Sequence, residues 1–464
     1  MSQSLKRGML YILSANILGL IINVITNFAL PKYLAVESYA AIKTYTLYIS
    51  YSGFFHLGYE DGMYLKYGGK SKYELDKMDF GLNISSLRIF QLVVSLIIFI
   101  IAMILNNKIL LVFSISLLPY NMVMYFRNLY QAIGEFNSYS KLMNFMTCSI
   151  FVINMFFLFV LKNNNYIYYI LSNAIVYICV WIFLEVKIRY KSKIKSSFFL
   201  FSITEFLNNV SSGILLMLGT FSSILLTSMD RWFVQYFLGT IEFAMYSFAV
   251  SMESFLNVAI TPVTLTLYNY FCKGIEREDI DKMRKYLLMF GSLLVGCGFP
   301  LKFIVEKWLV HYVSSLNVLF ILFSSQIFYV IIKAIYVNLY KACKKQRRYF
   351  KKLIVVIFFA FISNYIFYCI WNIKESFAIA TLLSALLWLI LCQVDFPQYK
   401  MCFKEFFYSV VEVFAFILLG VFCNVFIGAV LYLILSIILI IILFKKEASS
   451  IFQIIIHSNN CGHD

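Results

Sequence analysis

The chain has 464 residues, of which 62% are hydrophobic, 19% aromatic and only 13% charged, and its net charge is +16. A soluble globular domain of this length is excluded by that composition. The positive charge does not indicate nucleic-acid binding, because it is spread over short segments between apolar runs, as anchoring to an anionic leaflet requires.

Apolar runs of about 20 residues, each long enough to cross roughly 30 Å of hydrocarbon, recur from one end of the chain to the other. Their length predicts helices, since the strands of a membrane barrel need only about ten residues of alternating pattern. The first run follows Lys6 and Arg7 and is too long for a signal-peptide core. The sequence therefore predicts a multi-pass all-α membrane protein with fourteen helices at about 8–30, 39–59, 83–105, 109–131, 142–161, 166–186, 213–236, 241–263, 286–304, 315–337, 353–372, 376–395, 405–424 and 426–444.

Alternate loops differ strongly in positive charge, which is retained on the cytoplasmic side of a membrane. With the N-terminus inside, 29 of the 39 Lys and Arg residues fall in inside segments and six in outside segments. Both termini are therefore predicted to be cytoplasmic. No loop is long enough to form a catalytic domain, so the protein is not expected to be an enzyme, and neither a metal nor a cofactor is expected.

The chain contains an internal repeat. "YLAVESYA" at 33–40 matches "FLGTIEFA" at 237–244, and "NLYQAIGEFNSYSK" at 128–141 shares six of fourteen positions with "NLYKACKKQRRYFK" at 338–351. The two offsets, 204 and 210, are nearly equal, which indicates a duplicated unit of six helices in the same orientation. The predicted organisation is an N-lobe at 1–195, a C-lobe at 196–396, and two further helices with a cytoplasmic tail at 397–464.

Polar side chains within the spans point towards a cavity, because they are costly in contact with lipid. The second predicted helix carries such a stripe at i, i+4 spacing: Thr44, Tyr48, Ser52, His56 and Glu60. Hydrogen bonding between helices is the alternative explanation for the uncharged members.

Charged residues within or beside the spans are harder to explain by packing. Lys333 lies inside its predicted helix, 315–337, and needs a compensating partner. Lys43 and Arg231 lie nearer the outer surface and could instead snorkel, and Arg88 and Arg127 lie towards the cytoplasmic end and could be positive-inside anchors. Cations at several depths would suit an anionic substrate such as a diphosphate.

The carboxylates and one histidine form a second set of candidate residues, for ion coupling or gating: His56, Glu60, Asp61, Asp230 and Glu253. Asp230 could also simply pair with a cation. For Glu60 and Asp61, a role as helix cap and loop entry, with Lys66 and Lys70 as counter-charges, is an equal alternative.

Several stretches resemble the polysaccharide flippases of the Wzx type, within the multidrug/oligosaccharidyl-lipid/polysaccharide (MOP) exporter superfamily. They are "ALPKYLAVESYA", "GYEDGMYLKYGG", "RNLYQAIGEFNSY" and "MDRWFVQYFLGTIEFAMYS". Asp61 and Gly62 match the family's Asp-Gly at the inner end of helix 2, and Asp230 matches its acidic position late in helix 7.

The resemblance implies two pseudo-symmetric six-helix bundles in a V shape, with a cationic central cavity and alternating access coupled to a gradient of H+ or Na+. It implies transport of undecaprenyl-diphosphate-linked O-antigen, capsule or exopolysaccharide repeat units across a bacterial plasma membrane. Membrane lipids are expected partners, and the polysaccharide polymerase and chain-length regulator are candidate ones.

Two other functions are alternatives for a protein of this kind. A MATE-type multidrug or cation antiporter would share the fold, but it should favour buried carboxylates over buried cations. A membrane enzyme such as an O-antigen polymerase would need a long outer loop, and none is predicted.

Overall fold

A computed structural model of the chain describes residues 3–68, 70, 77–192, 200–272 and 277–450. Within these ranges the regular structure is helical, with no strand. Packing divides the chain into two compact units, Met1–Leu225 and Leu226–Asp464. The predicted boundaries of the lobes fall elsewhere and remain predictions.

The described residues of the first unit form seven complete α-helices and the start of an eighth. Their bounds are α1 Gln3–Tyr33, α2 Val36–Ser50, α3 Tyr59–Tyr67, α4 Lys77–Ile104, α5 Lys108–Ala132, α6 Phe136–Met155, α7 Tyr166–Ser192 and α8 Ile203–Phe237.

The second unit begins inside α8, and the part of it that the structure describes contains nine further α-helices. Their bounds are α9 Thr240–Cys272, α10 Arg277–Val295, α11 Gly298–Trp308, α12 Leu316–Ile331, α13 Val337–Ala342, α14 Gln346–Trp371, α15 Lys374–Asp395, α16 Phe403–Phe422 and α17 Val425–Leu443. One turn of π-helix, Ile332–Tyr336, joins α12 to α13.

Twelve helical segments between Phe80 and Leu443 are long and apolar enough to cross a membrane. Each overlaps one of the twelve spans predicted after residue 83, so the all-helical, multi-pass fold is confirmed. Burial within each unit is greatest along one segment. In the first unit, 67% of the most apolar stretch of Lys108–Ala132 is buried. In the second unit, 94% of the most apolar stretch of Val310–Ala342 is buried. These two segments form the buried centre of their units, and they contain the two copies of the repeat found at an offset of 210.

The helix junctions of the repeat recur at the same offsets. Two residues separate α1 from α2, as two separate α8 from α9 at offset 204. After α5, the Glu135 amide donates to the Tyr130 carbonyl at 2.8 Å, and at offset 210 the Lys345 amide donates to the Tyr340 carbonyl at the same distance. The repeated letters therefore correspond to repeated local structure.

The second predicted helix, 39–59, is wrong in its second half. The α-helix ends at Ser50, a 3₁₀ turn covers Ser52–His56, and Leu57 and Gly58 adopt left-handed conformations before α3 begins. Glycine favours such a break because its backbone adopts left-handed conformations, and serine favours it because its hydroxyl can bond to a nearby backbone carbonyl. The predicted i, i+4 stripe consequently does not run along one continuous helix.

The two C-terminal helices pack against other helices of the second unit. α16 contacts α10 and α12, and α17 contacts α10 and α11. The buried Arg284 guanidinium of α10 binds the Glu405 carboxylate of α16 at 2.8 Å, which joins these helices by a paired charge.

Candidate functional site

The first unit contains a cavity of about 360 Å³. It lies between the interrupted helical segment 49–64, α5 and α8. Four of the predicted site residues line it: His56, Glu60, Asp61 and Arg127. Around them lie amide and hydroxyl groups, and the rings of Phe54 and Phe221 stack at 4.6 Å.

A chain of polar contacts runs across this cavity from α5 to α3. The Arg127 guanidinium donates to Asn128 Oδ1 at 3.1 Å, and Asn128 Nδ2 donates to Glu60 Oε2 at 3.0 Å. Glu60 is almost fully buried, and its second oxygen, Oε1, has no hydrogen-bond partner among the described residues. A buried acceptor without a donor is costly, so this oxygen marks a place where a proton, a cation or a hydroxyl group would be stabilised.

Backbone geometry places the Glu60 carboxylate there. Gly58 has φ of +82°, and its amide donates to His56 Nδ1 at 3.1 Å. α3 then packs directly on α8, because a Cβ atom at Gly62 would lie 1.9 Å from the Asn209 carbonyl oxygen. The Asp-Gly pair therefore owes its glycine to a contact between two backbones.

Glu60 and Asp61 occupy the first turn of α3, where negative charge is favourable. Lys66, the proposed counter-charge, instead binds Glu205 of α8 at 2.8 Å. The favourable position of negative charge at the start of α3 thus accounts for part of the acidic pair, but not for the Glu60 oxygen that has no partner among the described residues.

The second unit contains a cavity of about 240 Å³ lined by α8, α9, α12, the π-turn and α15. It brings together four of the six remaining residues that were predicted for the site: Asp230, Arg231, Glu253 and Lys333. Two carboxylates and two cations therefore share one small space.

The two carboxylates differ in how well they are satisfied. Asp230 accepts three bonds, from the Arg231 amide at 2.8 Å, the Tyr246 hydroxyl at 2.6 Å and the Thr381 hydroxyl at 3.2 Å. Glu253 accepts from the Gln326 amide. The full set of donors around Asp230 is what a structural carboxylate requires.

The two cations of this cavity differ in their hydrogen bonding. Lys333 Nζ donates to Asn257 Oδ1 at 2.9 Å and lies 5.3 Å from the centre of the Tyr329 ring. Arg231 Nε is buried without a hydrogen-bond partner among the described residues. Lys333 is placed by the π-turn at the end of α12, a local widening that often occurs at functional sites.

Two predicted cavity cations line neither cavity. Arg88 of α4 is buried and binds the Glu185 carboxylate of α7 at 3.0 Å, which favours the structural alternative for this residue. Lys43 donates to Asn27 Oδ1 of α1 at 2.9 Å and lies 5.2 Å from the centre of the Tyr39 ring.

The sequence did not single out Asn128, Asn257 and Thr381, which supply the contacts that hold the charged groups. Asn128 carried a usable signal, since it heads the repeated "NLY" and matches Asn338. Three cations and four carboxylates line the two cavities, because Arg88 and Lys43 lie elsewhere.

No protein-family profile and no curated protein matches the chain. Among solved structures, the chain is similar to the lipid II flippase MurJ in an inward closed conformation, with 15% identity and a TM-score of 0.61 over 94% of this chain and 99% of that one. The Vibrio cholerae MATE transporter VcmN gives 14% identity and 0.48 over 89% of this chain and 100% of that one. At this level the MurJ match shows a shared fold, and the weaker match carries no argument.

Proposed function

We propose that the chain is a transporter of the MOP exporter superfamily that moves a lipid-linked oligosaccharide across a bacterial plasma membrane. The observation that carries the proposal is the MurJ match, which spans nearly the whole length of both chains. MurJ is named as a flippase of lipid II, so the shared architecture extends the proposal from transport in general to lipid-linked substrates.

The charged cavities support transport over a purely structural role. Lys333 and Arg231 sit within predicted spans, where an isolated cation costs about 2.5 to 3.5 kcal/mol or more. Their retention beside Asp230 and Glu253 is consistent with groups that exchange partners during a transport cycle. In this proposal Lys333 and Arg231 bind the anionic diphosphate, and Glu60 and Glu253 take part in coupling or gating.

The substrate class is proposed as an undecaprenyl-diphosphate-linked repeat unit of O-antigen, capsule or exopolysaccharide, of the kind moved by Wzx-type flippases. Deletion of the gene is expected to abolish surface polysaccharide while lipid-linked repeat units accumulate on the cytoplasmic side. Normal surface polysaccharide in the deletion strain, with the protein absent by immunoblot, would refute this substrate.

Lys333 offers a sharper test within the protein. Lys333→Ala is expected to reduce export of repeat units about tenfold at unchanged expression, because the diphosphate loses a cation in a low-dielectric cavity. Lys307→Ala, which removes an exposed lysine from the end of α11, is the matched control. Equal export by the two variants would return Lys333 to a packing role.

A cation antiporter of the MATE type is the second candidate, and one observation favours it. The first cavity contains two carboxylates and one arginine, a balance suited to a cationic substrate. Export of cationic dyes from cells that carry this gene alone, abolished by Glu60→Gln, would favour the antiporter over the flippase.

The orientation remains a proposal with a direct test. The positive charge of alternate loops predicts that the loop at 65–82 lies in the cytoplasm. A cysteine introduced at Lys70 should resist an impermeant maleimide applied to whole cells and react after the cells are broken open. Labelling in whole cells would contradict the predicted cytoplasmic position of this loop.

A further inference from the structure

The largest of the described cavities belongs to the second unit and shares no lining residue with either charged site. It is a groove of about 530 Å³ between the last turns of α15, the loop 396–402 and the first turns of α16. Since α15 and α16 both lie in candidate membrane spans, their adjoining ends place the groove at a boundary between membrane and water.

The walls of the groove are apolar and accessible. Ile390, Val394 and Phe403 line it, and Phe403 is 82% exposed. Gln393 and Met401 are buried, and the Met401 amide donates to Gln393 Oε1 at 3.3 Å, which fixes the loop against α15. The groove is therefore a shaped site with a rigid base, and an acyl chain suits its walls.

The charge at the rim is positive. Lys400 lines the groove, Lys404 follows Phe403 in the chain, and neither forms a salt bridge with another described residue. Both neighbouring carboxylates are already engaged: Glu405 binds Arg284, and Asp395 accepts from the Tyr340 hydroxyl at 2.6 Å.

The basic segment 341–352 adds to this charge. It carries seven Lys and Arg residues. Lys345 Nζ lies 4.9 Å from the centre of the Phe396 ring, and Lys352 Nζ lies 3.6 Å from Asp395 Oδ1. The segment therefore approaches the loop that forms the base of the groove.

We propose that this groove binds an anionic phospholipid of the membrane, with an acyl chain along Ile390, Val394 and Phe403 and the phosphate at Lys400. An apolar groove at the membrane boundary, with Lys400 in its lining, Lys404 beside the lining residue Phe403 and a basic segment near its base, combines the two features that recognise such a lipid. The inference does not depend on the transported substrate.

Native mass spectrometry of the purified full chain tests headgroup recognition. The probes are phosphatidylglycerol and phosphatidylcholine with identical acyl chains. Phosphatidylglycerol should bind in preference, and Lys400→Ala should weaken that preference about fivefold, with a similar further loss for Lys404→Ala. The matched control Lys307→Ala should retain it. Equal binding of the two lipids, or equal preference in all variants, would overturn the proposal.

Photo-crosslinking identifies the occupant. Phe403 is exposed, so p-benzoylphenylalanine at this position should leave the fold intact. Crosslinking in native membranes, followed by mass spectrometry, should yield a phospholipid adduct. A polyprenyl-phosphate adduct would assign the groove to a lipid-linked substrate, and a crosslinked dimer would assign it to a second copy of the chain. Either result would refute the phospholipid site.

Discussion

The two units make the same hydrogen bond with different acceptors. In the first, Asn128 Nδ2 of α5 donates to the Glu60 carboxylate at 3.0 Å. In the second, Asn338 Nδ2, its match at offset 210, donates to the backbone carbonyl of Thr264 at 2.7 Å. Thr264 is itself the match of Glu60 at offset 204. A helix-to-helix contact has thus persisted while one unit placed an ionisable group in it.

The backbones differ at the same place. The segment that leads to Glu60 is broken by the left-handed Leu57 and Gly58, whereas α9 runs unbroken from Thr240 to Cys272, with Pro262 inside it. The break ends one helix and begins another, so Glu60 and Asp61 lie in a first helical turn. The helix junctions therefore persisted in both units, while the side chains between them diverged in chemistry.

The largest expected effect comes from the glycine contact that allows the broken segment to pack. A Cβ atom at Gly213 would lie 2.1 Å from the Gly58 carbonyl oxygen, a backbone atom that cannot move aside. Gly213→Val is therefore expected to abolish folded protein, measured as monodisperse protein after detergent extraction.

Gly219 in the same helix is the matched control, since a Cβ atom there would meet nothing within 4 Å. Gly219→Ala should extract normally. Normal extraction of Gly213→Val would show that α3 and α8 do not meet at these glycines.

The buried pair of Arg88 and Glu185 gives the next largest effect and separates structural charges from cavity charges. Arg88→Ala leaves the buried Glu185 carboxylate with the Trp181 indole, which donates to it at 2.7 Å, but without the Arg88 cation, and this should cost about 3–5 kcal/mol of stability. The double variant Arg88→Met with Glu185→Leu should recover most of this loss, measured by thermal unfolding in detergent. A double variant that is stable but inactive in export would instead make Arg88 a transport residue.

Glu60 and Asp230 should differ in kind, because only Glu60 has an unpartnered oxygen. Glu60→Gln keeps an acceptor for Asn128 and should reduce transport about tenfold, roughly 1.4 kcal/mol, with little change in thermal stability. Asp230→Asn disturbs three hydrogen bonds and should lower stability by about 1–3 kcal/mol. Unchanged transport in Glu60→Gln with reduced stability would make Glu60 a structural residue.

Long apolar runs made the twelve spans after residue 83 predictable, and repeated letters at the helix junctions located repeated turns. Pairing was not predictable in the same way. Arg88 and Glu185 lie 97 positions apart and Asp230 and Thr381 lie 151 apart, so only the fold brings them together. Periodicity also failed at residues 52–60, because an i, i+4 pattern of polar residues does not reveal that the helix carrying it is broken.

The smallest expected effect concerns the strain of that break. Leu57 has φ of +52°, a left-handed conformation that costs a leucine roughly 1–2 kcal/mol and a glycine almost nothing. Leu57→Gly should relieve this strain, although loss of the contacts that the exposed leucine side chain still makes offsets part of the gain. The net change in stability should lie between zero and about +1 kcal/mol, measured by thermal unfolding. Asn372 ends α14 at a similar φ of +47°, and asparagine tolerates that conformation, so Asn372→Gly is the matched control and should gain less. A clear loss of stability in Leu57→Gly would mean that the packing of the Leu57 side chain, and not tolerance of a strained turn, maintains the break that sets the first unit apart from the second.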